Sequence, residues 1–233
     1  MGTLYVVPTP IGNLEDVTLR ALRLLREASL IAAEDTRTTR HLLTHYAIST
    51  PLISYHEHNK LSRLDAILAA LATGDVALVS DAGTPGLSDP GYELIRAALE
   101  AGFTVCPLPG PSALLPALVA SGLPTDGFLY LGFLPRRSTE RRAALEAIQA
   151  LPFTLVFYEA PHRLLETLDD LYAVLGDRQV VAAREITKLY EEFVRGSARE
   201  LILHFNLNAP RGEFVLLVGG FKPPESVRWN EEH

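Results

Sequence analysis

The sequence predicts an α/β protein with two domains, and three observations support this prediction. Short apolar segments alternate with longer segments of helical periodicity along most of the chain, an order typical of a mainly parallel sheet flanked by helices. The segment 76–80 shows no polar alternation, as expected for a strand buried on both faces. The stretch 121–127 concentrates Gly, Pro, Ser and Asp near the middle of the chain and is typical of a linker.

In the N-terminal half, predicted strands and helices alternate with short connections. Leucines and an alanine recur at helical spacing between residues 19 and 28, Asn59 is a candidate N-cap, and Asp89-Pro90 is typical of a cap followed by a first helical proline. The predicted strands are 3–7, 30–33, 52–55, 76–80 and 103–107, and the predicted helices are 17–28, 38–46, 59–72 and 91–100.

The sequence of the C-terminal half predicts a mixed sheet with helices, because two predicted strands within 180–195 are joined by a short turn. Its predicted strands are 128–131, 154–158, 179–183, 190–195 and 213–218, and its predicted helices are 139–150, 161–175 and 198–205. We therefore expect an N-terminal domain over 1–120, a linker over 121–127, a C-terminal domain over 128–221 and a loose tail over 222–233.

Composition excludes several classes of protein. The 233 residues suit one large or two small domains, and 48% hydrophobic with 21% charged residues is ordinary for a globular chain. The single Cys106 excludes a disulfide scaffold or a multi-cysteine zinc site and fits a reducing cytosol. The N-terminus lacks the pattern of a signal peptide, and no apolar stretch approaches the ~20 residues of a membrane helix. The net charge of −7 weighs against a passive nucleic-acid binder.

The most informative segment is 80–91, SDAGTPGLSDPG, which follows an apolar strand and precedes a helix. Ligands of open α/β sheets bind beyond the carboxyl ends of the strands. Gly83 and Gly86 allow a ligand close to the backbone, and Asp81 can accept hydrogen bonds or face a cation. The proline-rich loops 8–13 and 109–113 follow two other strands and are stiff. Three such loops predict a shared, pre-organised cleft.

Several familiar sites are absent from these segments. Neither the dinucleotide fingerprint nor a P-loop ending is present, so we do not expect a ligand held by its phosphates. Ser112 lacks the second glycine of a nucleophile elbow. His56-Glu57-His58 has no third ligand, so no metal site is predicted.

Two charged segments suggest contacts with an anionic substrate. Asp35 is a candidate helix cap, and Arg37 and Arg40 follow it near a strand end. The run 136–142 holds four arginines against one glutamate. A solvated helix start is the ordinary explanation, but arginine near a helix N-terminus opposes the macrodipole, which favours phosphate contact.

Eight motifs in order resemble the ribosomal RNA small subunit methyltransferase I family, within the tetrapyrrole methylase-like superfamily. They are TPIGN at 9–13, AEDTR at 33–37, SDAGTP at 80–85, SDPG at 88–91, PGPSA at 109–113, GFLPR at 132–136, YEAPHR at 158–163 and REITK at 184–188. The resemblance extends from about residue 3 to residue 219.

The resemblance implies a tetrapyrrole methylase-like fold of two α/β domains, with S-adenosylmethionine in the cleft between them. The implied reaction is 2′-O-methylation of a cytidine in the decoding region of 16S rRNA, within the 30S subunit, by a homodimer in the bacterial cytoplasm without a membrane partner. By motif, the implied cofactor-binding residues are Pro10, Asp81, Gly83, Thr84, Ser112, Ala113, Glu159 and Ile186. S-adenosylmethionine carries no phosphate and has a cationic sulfonium, which agrees with the absent phosphate loops and with Asp81.

The same reaction requires a group that accepts the hydroxyl proton and groups that contact RNA phosphate. The candidate bases are Glu185, Lys188 and Asp35, of which Lys188 would need a depressed pKa. The candidate RNA contacts are Arg37, Arg136, Arg137, Arg141 and Arg142.

A tetrapyrrole C-methyltransferase of the precorrin or uroporphyrinogen type is the alternative, since it shares the fold and cofactor but takes a small anionic macrocycle. The segment 34–37 and the basic run 136–142 favour RNA. A non-catalytic RNA-binding module would be expected to show an aromatic stacking motif, and a nucleotide enzyme a phosphate loop.

Overall fold

The computed structural model describes residues 2–222 and divides into two compact units, the first ending at Ala113 and the second beginning at Leu114. Both units contain a five-stranded sheet with helices, which confirms the predicted α/β class. The predicted tail lies outside the described residues from residue 223 onward.

The first unit is a parallel sheet in the order β3-β2-β4-β1-β5. Its strands are β1 (Thr3–Val6), β2 (Leu30–Ala33), β3 (Leu52–Ser54), β4 (Val76–Val79) and β5 (Thr104–Pro107). Its helices are α1 (Leu19–Glu27), α2 (Thr36–His45), α3 (Lys60–Thr73) and α4 (Tyr92–Glu100), with a short 3₁₀ turn at Leu14–Asp16.

Strand β4 shows why this sheet needs apolar residues at every position. Val76 and Leu78 pack into a core with α3 and α4, whereas Ala77 and Val79 pack into a second core with α1 and α2. Because successive side chains of a strand point to opposite faces, helices on both faces bury the whole strand.

The topology brings the loops after β1 and β4 to one place. These strands are adjacent, but the chain leaves β1 toward β2 and leaves β4 toward β5, in opposite directions across the sheet. Such a reversal opens a crevice at the carboxyl edge of a parallel sheet.

The second unit is a mixed sheet in the order β6-β7-β10-β8-β9, in which only β6 and β7 are parallel. Its strands are β6 (Phe128–Phe133), β7 (Thr154–Glu159), β8 (Gln179–Arg184), β9 (Glu192–Ser197) and β10 (Phe214–Val218). Its helices are α5 (Leu114–Ser121), α6 (Ser138–Glu146), α7 (Leu164–Leu175) and α8 (Ala198–Leu207), with a 3₁₀ turn at Pro161–Arg163. One core joins α6, α7 and α8 to the sheet, and the antiparallel pair β8–β9 confirms the expected mixed sheet.

Helix α5 was not predicted, and it changes the division of the chain. It contacts β8 and β10, so it groups with the second unit, although the sequence placed the first domain over 1–120. Gly and Pro enrichment over 121–127 marks the turn after α5. The unit boundary lies before the helix.

Two side chains that were predicted to cap helices, Asp89 and Asn59, do not form capping hydrogen bonds. Helix α4 begins at Tyr92 with Gly91 at the cap position, at φ 156°, so Asp89 and Pro90 belong to the preceding loop. Asn59 occupies the cap position of α3, but its side chain accepts a hydrogen bond from the His56 backbone N–H at 2.8 Å, not from the helix. Within residues 2–222, no helix is both long and apolar enough to cross a membrane.

Candidate active site

The loops after β1 and β4 are joined by backbone hydrogen bonds. Thr9 and Gly83 donate to each other's carbonyl oxygens at 2.9 Å, and the buried Thr9 hydroxyl donates to the Ser80 carbonyl at 3.0 Å. Gly83 lies at φ 80°, in the left-handed region that favours glycine. The loops 8–13 and 80–91 therefore form one rigid wall.

The loop after β5 joins the same wall. The Thr84 hydroxyl donates to the Pro111 carbonyl at 3.3 Å. Gly110 lies so close to Pro8 that a Cβ at Gly110 would be 2.7 Å from the proline ring. Half-buried Ser112 lies in this loop, and Ala113 follows it. The expected meeting of three loops at one edge is confirmed for the described residues.

Three carboxylates gather where the loop after β2 meets this wall. The Asp35 backbone N–H donates to Asp81 Oδ1 at 2.9 Å, and the Asp81 N–H donates to Glu34 Oε2 at 3.3 Å. Desolvation raises the pKa values of Glu34 and Asp81 above their usual range. Burial, then the charge of Glu34, raises the pKa of Asp89 to about 6.

Within residues 2–222, neither Glu34, Asp81 nor Asp89 forms an ion pair with a basic side chain. The cluster is therefore electronegative, although the charge of Arg37 partly offsets that of Asp81, and it favours a cationic ligand.

A cavity of about 470 Å³ opens beside this cluster, a volume in the usual range of small-molecule sites. Pro10, Asp81 and Arg37 line it, together with Thr39. The Thr39 hydroxyl is buried and has no hydrogen-bond partner in the described part of the chain. A buried polar group of this kind is typical of a wall that a ligand completes.

The two cofactor candidates of the second unit differ in character. Glu159 is buried, accepts hydrogen bonds from the Thr167 hydroxyl at 2.6 Å and the Ala160 N–H at 2.9 Å, and lies 3.4 Å from Arg163 Nε. Both oxygens of its side chain are bonded within the unit, so a cofactor contact at Glu159 stays a prediction that the side chain does not support. Ile186 lies between two non-glycine residues with positive φ, and local strain of this kind occurs at ligand sites.

Asp35 caps a helix and does not have the pKa of a base. It accepts from the Arg37 N–H at 2.8 Å, and the Arg37 side chain lowers the pKa of this carboxyl to about 2. The predicted cap is confirmed, and the expected catalytic role is not supported because so weak a base accepts few protons near neutral pH.

Lys188 and Glu185 neutralise each other. Burial lowers the pKa of Lys188, but hydrogen bonds to Glu213 at 2.8 Å and Glu185 at 3.0 Å outweigh it, so the net shift is upward. The depressed pKa required of Lys188 is therefore wrong. Burial raises the pKa of Glu185, but hydrogen bonds from the Glu213 N–H and Lys188 outweigh it and lower the net value.

The arginines of the basic run divide into buried and exposed members. The prediction that Arg141 contacts RNA is wrong, because its side chain is 1% exposed and its Nε donates to Asp170 at 2.6 Å. Arg142 is half-exposed and also donates to Asp170, at 2.5 Å. Arg136 and Arg137 are exposed.

Two site residues escaped the sequence analysis although they lie within its motifs. Glu34 was treated as part of a charged segment, and Asp89 was interpreted as a helix cap. Their positions at the ends of β2 and in the loop after β4 were the available signal, because parallel strands deliver such residues to one edge.

Comparison with known proteins agrees with this geometry. The family model for tetrapyrrole (corrin/porphyrin) methylases matches residues 3–202. A ribosomal RNA small subunit methyltransferase I from Halalkalibacterium halodurans is 53% identical, covering 98% of this chain and 80% of the relative. The protein of that name from Escherichia coli O157:H7 is 53% identical over 96% of this chain and 80% of its own length.

Solved structures support the fold alone. Diphthine synthase superposes with a TM-score of 0.74 at 14% identity, covering 94% of this chain and 90% of that one. The methyltransferase CobJ superposes with a TM-score of 0.70 at 22% identity, covering 94% and 95%. With the family model and the relatives at about half identity, the chain belongs to the ribosomal RNA small subunit methyltransferase I family of tetrapyrrole methylases.

Proposed function

We propose that this methyltransferase modifies the 2′-oxygen of a cytidine ribose in 16S rRNA, with S-adenosylmethionine as methyl donor. Relatives at 53% identity carry the name ribosomal RNA small subunit methyltransferase I, which supports rRNA as the substrate. The observation that carries the proposal is a carboxylate cluster without a basic ion-pair partner, on a glycine-rich wall, whose member Asp81 lines a 470 Å³ cavity.

The residues present fit the proposed cofactor. S-adenosylmethionine, when bound, supplies a methyl group on a positively charged sulfur. Glu34, Asp81 and Asp89 provide the negative charge that such a cation requires. Pro10, Gly83, Thr84, Ser112 and Ala113, carried over by motif, lie on the three joined loops and stay our proposed contacts.

Much of the rate is assigned to alignment and exclusion of water, which stiff, mutually bonded loops provide without reorganisation. Among the carboxylates, Asp89 has the pKa best matched to accepting a proton near neutral pH. We therefore propose Asp89, in the loop after β4, as a further candidate base to test beside Asp35, Glu185 and Lys188.

We assign the RNA phosphate contacts to Arg37, Arg136, Arg137 and Arg142. Arg37 lines the cavity and is exposed, although it also pairs with Asp35 at 2.6 Å. Guanidinium groups on exposed surfaces bind phosphate bidentately, which suits an RNA backbone.

We further propose that the protein acts in the bacterial cytoplasm as a homodimer on the assembled 30S subunit. The edge strand β6 exposes three large apolar side chains, Phe128, Leu131 and Phe133, a pattern typical of an interface. Sedimentation of the full chain tests the dimer. A monomer at all accessible concentrations would remove this part of the proposal.

Methyl transfer from radiolabelled S-adenosylmethionine tests the function directly. The acceptors are 30S subunits lacking the modification, naked 16S rRNA and a tetrapyrrole precursor. Label on a ribose 2′-oxygen in the subunits supports the full proposal. Label only on naked rRNA removes the 30S requirement, and label only on the tetrapyrrole supports the C-methyltransferase alternative.

A further inference from the structure

The loop between β6 and α6 is held by two arginines that lie outside it. This basic loop, residues 134–137, exposes Arg136 and Arg137 to solvent. Arg163 Nη2 donates to the Leu134 carbonyl at 2.8 Å and the Pro135 carbonyl at 3.1 Å. Arg141 Nη1 donates to the Pro135 carbonyl at 3.4 Å and the Arg136 carbonyl at 3.3 Å. Three consecutive backbone carbonyls are thereby fixed.

Each of these arginines lies beside a buried carboxylate, to which Arg141 donates a hydrogen bond and with which Arg163 forms an ion pair without a hydrogen bond. Asp170, on α7, accepts from Arg141 Nε at 2.6 Å and from the Ser138 hydroxyl at 2.9 Å. Glu159, at the end of β7, lies 3.4 Å from Arg163 Nε, and its side chain is 1% exposed. Neither carboxylate is accessible to a ligand.

Stability alone is a weak reason for such an arrangement. Buried ion pairs give little net stabilisation relative to apolar residues of the same size, because both charges lose their hydration. The two arginines instead donate hydrogen bonds to backbone carbonyls of residues 134–137, a segment that belongs to neither a strand nor a helix. A loop fixed in this way loses little further conformational entropy when a ligand binds its side chains.

We infer that the Asp170–Arg141 and Glu159–Arg163 pairs are positioning devices that hold the basic loop so that Arg136 and Arg137 meet RNA phosphates in a preformed geometry. The inference rests on the proposed function, in which these two exposed arginines contact RNA. It gives Arg141 and Glu159, whose side chains are both buried, a role through other residues.

The test compares three arginine-to-lysine variants of the full-length protein. Arg163→Lys and Arg141→Lys keep the positive charge but lose the forked donors that reach two carbonyls. Arg178→Lys is the matched control, because Arg178 also donates to backbone carbonyls, of Leu175 and Gly219, in another part of the unit. The variant Arg136→Ala/Arg137→Ala removes the proposed contacts themselves.

For Arg163→Lys and Arg141→Lys, we expect KM for 30S subunits to rise about three- to tenfold with little change in kcat, and to approach that of the double-alanine variant. The slope of log affinity against log salt should fall by about 1 to 2, since up to two phosphate contacts are lost. The dissociation constant of S-adenosylmethionine, measured by calorimetry, should stay at the wild-type value. Arg178→Lys should leave all three quantities unchanged.

The outcomes separate the inference from the proposed function. If the double-alanine variant binds 30S subunits like wild type, the RNA contacts of the proposed function fail, and the inference fails with them. If the double-alanine variant weakens binding while Arg163→Lys and Arg141→Lys match Arg178→Lys, only the positioning inference is overturned. A loss of cofactor affinity equal to the loss of RNA affinity in both lysine variants would also overturn it, because it would indicate general structural damage.

Discussion

The two units treat desolvated acidic side chains in opposite ways. In the first unit, Glu34, Asp81 and Asp89 have raised pKa values and no ion pair with a basic side chain within residues 2–222. In the second unit, burial raises the pKa of Asp170, but hydrogen bonds from Arg142 and Arg141 outweigh it and lower the net value.

This difference distinguishes carboxylates that are available to bind a ligand from carboxylates that stabilise the fold. A desolvated carboxylate without a basic ion-pair partner has a raised pKa and favours a cationic ligand, and Asp81 is the member of the cluster that lines the cavity. A carboxylate enclosed by arginines is compensated before any ligand arrives. Substitutions of the acidic residues in the first unit should therefore change cofactor binding, and substitution of the buried acidic residue Asp170 in the second unit should change stability.

The largest expected effect is on stability, from Asp170→Ala. This change leaves Arg141, 1% exposed, without its partner, and breaking a buried pair costs about 3–5 kcal/mol. Urea unfolding measures the free energy of unfolding, and Asp169→Ala on the exposed side of the same helix is the control. If Asp170→Ala lowers the free energy of unfolding by less than about 1 kcal/mol, the Asp170–Arg141 pair behaves like an exposed ion pair, and the contrast between the two units fails.

Asp81→Asn should have the converse effect. The amide keeps an oxygen to accept from the Asp35 N–H but removes a charge from the cluster, so we expect about tenfold weaker S-adenosylmethionine binding, or about 1.4 kcal/mol. The free energy of unfolding should change little, because the ionised side chain is itself unfavourable there. Calorimetry measures the affinity, and Asp65→Asn on the exposed surface of α3 is the control. Unchanged affinity would remove Asp81 from the site.

The pH dependence of cofactor binding gives a second test of the difference between the acidic residues of the two units. The pKa of Asp89 is raised to about 6, so this carboxyl loses its charge as the pH falls through 6, and affinity for a cation should fall severalfold between pH 7 and 5. Its ionised form opposes folding above pH 6, and that cost disappears as the pH falls toward the unfolded value of 3.8.

Asp89→Asn should flatten this dependence of binding, again measured by calorimetry. The lowered pKa values of Asp35 and Asp170 keep both ionised over this window, so neither contributes to the change. A decline in Asp89→Asn as steep as that in wild type would assign the titration to another member of the cluster, Glu34 or Asp81.

The sequence predicted most elements of the first unit because their determinants are local. Strand β2 has the predicted bounds, and the buried run of β4 was expected from its lack of alternation. Helix α5 was missed because its sequence, LLPALVAS, is apolar on all sides and contains a proline, so it shows no helical periodicity. Its packing against β8 and β10 depends on tertiary contacts, which the local sequence does not reveal.

The part of the site that lies at the ends of strands could be predicted from the sequence. The loops 8–13, 80–91 and 109–113 follow parallel strands, and topology brings them together. The burial of Arg141 was not predictable, because its partner Asp170 lies 29 residues away on another helix. A dense arginine run looks the same in sequence whether its members face solvent or a buried acid.

The smallest expected effect comes from Arg142→Ala. It tests whether the burial of an arginine, rather than its pairing with Asp170, determines how much stability is lost when that arginine is removed. Arg142 donates to the same carboxylate as Arg141, but its side chain is 50% exposed, so Arg142→Ala should cost only about 0.5–1 kcal/mol. The exposed pair of Arg96 and Glu100 gives the lower reference, and Arg96→Ala should lower the free energy of unfolding less than Arg142→Ala in the same urea experiment. If Arg142→Ala instead costs as much as Asp170→Ala, the two arginines share the compensation of the buried charge.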